Sequence, residues 1–93
     1  MQISVQELVV INTALQVDDK MNPKQYPISE LQQAQNIYLK LKDCTEFDGE
    51  IERFKDSEID FSTEDKSFIL GIIESPWGIN MADAYFSLKE KLS

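Results

Sequence analysis

A chain of 93 residues, 42% hydrophobic and 28% charged with only three Gly and three Pro, can bury a core without metal or disulfide staples and does not have the composition of a disordered segment. Its 17 acidic against 9 basic side chains leave a net charge of −8, which repels nucleic acid and anionic lipid and favours a basic protein partner. The lack of His removes the usual general base, the usual zinc ligand and the common nucleophile triads, while the lone Cys44 excludes an intramolecular disulfide and points to a reducing compartment.

The chain begins Met-Gln-Ile-Ser-Val-Gln with no basic leader, and its apolar run at 8–11 is too short to span a bilayer, so a cytoplasmic protein is expected. Ser4 with Glu7 forms a capping box that opens a helix through about Val17, after an extended lead-in over residues 1–3. Val5, Leu8, Val9, Asn12 and Leu15 recur on one side of it, with Ile11 close by, and that side is expected to face the core. Residues 18–27 hold two prolines and no periodicity, which predicts a loop anchored by Met21 and Tyr26. Ser29 with Gln32 spells another capping box, Ile28 can act as its hydrophobic staple, and Leu31, Ala34, Ile37, Tyr38 and Leu41 carry the helix to about Asp43. The opposite face, Gln32, Gln33, Gln35 and Asn36, is uncharged and amide-rich, suited to solvent or to contact with another chain.

Residues 44–61 carry two conflicting signals. Leu41, Cys44, Phe47, Ile51 and Phe54 step by 3, 3, 4 and 3, which predicts helix over 45–55. Against it, Asp48-Gly49 is a hairpin-turn dipeptide and residues 58–61 alternate like a strand. A helix here would also set Glu46 against Glu50, Asp48 against Glu52 and Glu52 against Asp56, each at a cost of a few tenths of a kcal/mol. The in-phase positions favour helix, with Ile59 and Phe61 as an extended approach that drops two side chains into the core.

Ser62, or Thr63 beside it, with Asp65 caps the next helix, and Glu64 and Asp65 complement its dipole. Phe68, Ile69, Ile72 and Ile73 form its buried face with Leu70 at the flank, while Asp65, Lys66 and Glu74 point mostly away. Pro76 ends it at about Glu74 or Ser75. Asn80 with Asp83 caps a last helix whose apolar stripe is Met81, Tyr85, Leu88 and Leu92, widened by Ala82 and Phe86. Trp77, in the short connection with Ile79, is expected to plug the angle between the two helices. Lys89 and Lys91 against Asp83 and Glu90 make this pair a poor DNA reader.

The expected fold is therefore all-α, a single small helical domain over 1–93: an irregular four- to five-helix bundle ending in a helical hairpin. The alternative is α+β with a short two-stranded hairpin near residues 50–61. Cys44 ends a helical stripe and suits a small core position better than a nucleophile. A calcium loop with Gly49 in its sixth place would start on Cys44 and end on Lys55, without the anchoring carboxylates. No metal, cofactor or catalytic site is expected. Seven of the eight net charges lie in residues 45–75, where ten acidic side chains face three basic ones. The acidic strip Glu46, Asp48, Glu50, Glu52, Asp56, Glu58 and Asp60 is thus the candidate contact for a basic protein surface, with Phe47, Ile51 or Trp77 as apolar anchors. Such a protein would be a non-catalytic adaptor or inhibitor, in its narrowest form a nucleic-acid mimic from a phage or mobile element. The second expectation is a self-associating structural subunit that meets its copies through the Gln-rich face or an exposed apolar stripe. Neither nucleic acid nor membrane is an expected partner.

Overall fold

The computed structural model of the protein describes residues 1–93, in the order β1 (Gln2–Ile3), α1 (Val5–Gln16), α2 (Ile28–Lys42), β2 (Thr45–Asp48), β3 (Ile51–Phe54), β4 (Ser57–Glu58), α3 (Thr63–Ile72), a 3-10 turn (Ile79–Met81) and α4 (Ala82–Leu92). β1 pairs with β4 and β2 with β3, both antiparallel. The architecture is α+β, which overturns the expected all-α bundle and agrees better with the alternative. The hairpin, however, spans 45–54 rather than 50–61.

The helix expected at 45–55 fails for a physical reason. Of the in-phase apolar positions, Leu41 and Cys44 are buried and Phe54 is half-buried, while Phe47 is 72% and Ile51 60% exposed, so the hairpin splits the stripe that a helix would have kept together. Pairing in a hairpin instead sets Glu46 opposite Arg53 and removes the i, i+4 repulsions. Gly49 takes φ +68 at the first of two loop residues, a left-handed backbone that a Cβ resists, as in type II′ turns. Gly49→Ala has free space around its new methyl group, so its whole cost is backbone strain. We expect a loss of about 1–2 kcal/mol, read as weakened amide-exchange protection of the β2–β3 ladder.

α1 packs against α2, α3 and α4, and α3 packs against α4. Being surrounded, α1 buries more than one stripe. Leu8, Val10, Ile11, Ala14 and Leu15 are buried together with Glu7, whereas Val5 and Val9, expected to face the core, are each 37% exposed. The carbonyls at its C-terminal end are satisfied from the following loop: Lys24 Nζ donates to Ala14 O and Tyr26 Oη to Leu15 O, both at 2.7 Å. Tyr26 is thus an anchor, with its ring centroid 5.8 Å from that of Phe68, while Met21 is exposed in a left-handed turn at φ 64.

α2 starts on Pro27 without a side-chain cap, so Ser29 and Gln32 do not form the expected box and Ile28 is exposed rather than a staple. Proline fixes φ near −60° and lets the helix begin one residue ahead of the serine. Similarly, Asn80 is taken up in the 3-10 turn, and α4 begins without a side-chain cap. α3 ends at Ile72, a little before the predicted stop, and Trp77 Nε1 donates 2.9 Å to Ile73 O, which closes the helix corner as anticipated.

One device occurs twice. Ser4 with Glu7 and Ser62 with Asp65 are both complete capping boxes. In each, the carboxylate also takes a lysine from the last turn of another helix: Lys91 of α4 lies 2.7 Å from Glu7, and Lys40 of α2 lies 2.7 Å from Asp65. Each lysine donates a second bond to the carbonyl two residues before the cap, Lys91 to Gln2 O and Lys40 to Asp60 O. Asp65 is consequently buried, not on the solvent side where local spacing placed it. Ile3 and Phe61, the residues immediately before the two caps, drop into the core.

Candidate functional site

The β2–β3 hairpin is the segment least committed to the core. Opposed residues Thr45 and Phe54, and Phe47 and Glu52, share one face; Glu46 and Arg53, and Asp48 and Ile51, share the other. On the first face Phe54 packs against the core, with β3 beside α1. Below it, Thr45, Glu52 and Phe54 cover a small cavity of about 170 Å³ reaching Asn12, Gln16 and Tyr38. Every residue from 46 to 53 is exposed. Four carboxylates there, Glu46, Asp48, Glu50 and Glu52, face one cation, Arg53. Arg53 reaches Asp48 at 3.4 Å, but both side chains are well solvated, so the pair neutralises little. Phe47 and Ile51 lie on opposite faces and offer two separate apolar contacts, not one patch.

The remaining acids of the strip are placed elsewhere. Asp56 Oδ1 accepts the Val5 N–H at 2.9 Å, at the positive end of the α1 dipole. Glu58 sits in β4 opposite Gln2, and its carboxylate pairs with the Met1 ammonium. Asp60 gives its carbonyl to Lys40. Trp77 belongs to the α3–α4 corner and is half-buried. The seven acids are therefore not one continuous strip: four project with the hairpin, and the others lie on the segment that ties β1 and the starts of α1 and α3 together.

Two further surfaces escaped the sequence. Ile28, Leu31 and Leu39 of α2 are 89%, 52% and 53% exposed, a second stripe at helical spacing that also contains Gln35. The spacing placed Leu31 in one stripe with Ala34, Ile37, Tyr38 and Leu41; only Ala34, Ile37 and Leu41 of that stripe are buried, and Leu31 lies outside the buried part. The largest cleft, about 680 Å³, lies between the 18–26 loop and α3 around Tyr26 and Phe68. Its acidic rim is partly engaged already: Asp18 accepts the N–H groups of Lys20 and Asn22, and Glu74 pairs with Lys89 at 3.0 Å, a contact that holds the Glu74 carboxyl below its ordinary range.

Cys44 is 3% exposed within the core, with its thiol 3.4 Å from Lys40 O. No three His, Cys, Asp or Glu side chains are grouped so as to hold a metal ion, and no helix is long and apolar enough to cross a membrane. Comparison with known proteins finds no matching family model, no matching curated protein and no matching solved structure.

Proposed function

We propose that this is a non-catalytic, cytoplasmic interaction protein, an adaptor or inhibitor, whose acidic hairpin docks on a basic surface of another protein. The observation that carries it is the exposure of every residue from 46 to 53, where Phe47 and Ile51 stand largely in water among four carboxylates. A partner pocket that buries Phe47 gains about 1.5–3 kcal/mol of transfer free energy, and the acids steer the encounter. In the narrowest form the hairpin carboxylates take the place of phosphates on a nucleic-acid-binding protein.

Octalysine is a suitable probe. The wild-type chain should bind it with amide shifts centred on residues 46–52 and an affinity that falls about tenfold from low to physiological salt. Combining Glu46→Lys, Asp48→Lys and Glu50→Lys should abolish those shifts. Shifts spread evenly over the acidic surface would overturn the assignment to the hairpin. Self-association is the second possibility, favoured by the exposed Ile28, Leu31 and Leu39 stripe. It requires a dimer whose light-scattering mass is unchanged by salt and is lost on Leu31→Lys.

A further inference from the structure

We infer that the free edge of β2 receives an extended segment of the partner as an added strand, with Lys or Arg on the side of Glu46 and Asp48 and apolar residues on the side of Phe47. The inference rests on the hairpin being the docking element and specifies how it docks. In the β2–β3 register Cys44 falls opposite Lys55, and Lys55 N donates to Cys44 O at 2.9 Å, which marks that pair as hydrogen-bonded. Alternation then makes Glu46–Arg53 and Asp48–Ile51 hydrogen-bonded pairs and leaves Thr45 and Phe47 with N–H and C=O directed away from β3. β2 has no other strand beside it, and outside the ladder the only hydrogen bond from these two residues is Thr45 Oγ1 to Lys42 O. β3, in contrast, lies beside α1.

Open edges are normally blunted by Pro, Lys or a bulge. β2 has no Pro, Lys or bulge: its sequence is Thr-Glu-Phe-Asp and its register is unbroken, so its guard is its four-residue length and the charges of Glu46 and Asp48, which a cationic strand would neutralise. What it carries instead selects the occupant. A second copy of β2 would bring acids against acids, which is destabilising across a sheet. A strand alternating cationic and apolar residues would place its cations beside Glu46 and Asp48 and its apolar side chains beside Phe47.

The test uses the full chain and an octapeptide of alternating Lys and Val, with two twins N-methylated at alternate residues, one in each phase. Strand addition predicts that one twin binds like the parent and the other at least about tenfold more weakly, since only one set of peptide N–H groups faces β2. On the protein, Phe47→Pro removes an outward N–H and spares the ladder, so it should bind about tenfold more weakly than Phe47→Thr, which keeps that N–H. Equal binding by both twins and the parent, or Phe47→Pro matching Phe47→Thr, would overturn strand addition while leaving the acidic hairpin as the docking site. Loss of binding by both twins overturns it as well. No salt-dependent binding by any of the three peptides would remove both.

Discussion

Replacing Lys91 by Met is expected to lower the unfolding free energy by about 3 kcal/mol. Glu7 is 2% exposed, its Oε1 receives Lys91 and the Ser4 N–H, and its Oε2 has no hydrogen-bond partner. Met preserves the packing of the aliphatic stem and removes only the cation, leaving a buried carboxylate without its counter-charge. The loss falls at the low end of about 3–5 kcal/mol for a broken buried pair because the Lys91 side chain is 35% exposed and water can reach the vacated side. Burial pushes the Glu7 carboxyl up, but the Lys91 ammonium and the Ser4 N–H bonded to Oε1 outweigh it and leave it below the ordinary value of 4.5. Its contribution is thus fully present above about pH 4.5 and is lost as pH falls through the lower folded-state value. In Lys91→Met the strongest opposing bond is gone, burial raises the carboxyl, and acidification relieves the buried charge. Urea titrations at about pH 7 and about pH 4 should therefore show the deficit shrinking with acid. A deficit of the same size at both values would mean that Lys91 acts only through packing.

The same pair shows where the sequence is legible. Ser4-Glu7 and Ser62-Asp65 are chemistry within one turn, and both capping boxes form. That each carboxylate also takes a lysine, from 84 and 25 residues away, is a fact of packing with no local trace. Ser29-Gln32 and Asn80-Asp83 have similar spelling but form no box, since Pro27 sets the start of α2 and a 3-10 turn takes Asn80. Over 45–55 a helical period and a turn dipeptide competed; the turn that forms has Gly49 at φ +68 and sets Glu46 opposite Arg53, where a helix would have stacked like charges. The acids of the candidate site were legible as a charge excess. Their separation into a projecting hairpin and a structural tie was not, because it depends on where the chain leaves β3 and on Asp56 meeting the start of α1.

Phe61→Ala should cost about 4 kcal/mol, the middle of the usual range of about 3–5 kcal/mol for deleting a buried ring. Phe61 is 5% exposed in an extended stretch with no helix of its own, between Ile59, whose N–H donates to Met1 O at 2.9 Å, and the Ser62 cap. Backbone pinned on both sides cannot collapse into the cavity, so little of the loss is recovered. The Lys40 ammonium, 5.7 Å from the ring centroid, also loses a cation–π contact worth about 0.5–1 kcal/mol at a partly exposed site. Phe47→Ala provides the contrast, since its ring is 72% exposed and its removal should change stability by no more than about 0.5 kcal/mol. Urea midpoints of the two variants, measured beside octalysine binding, separate an aromatic that builds the fold from one held out for a partner. Phe61→Ala should lose stability, and Phe47→Ala should lose affinity alone. If Phe47→Ala instead approached the stability loss of Phe61→Ala, its ring would be part of the core in solution and the hairpin would not be a free docking arm.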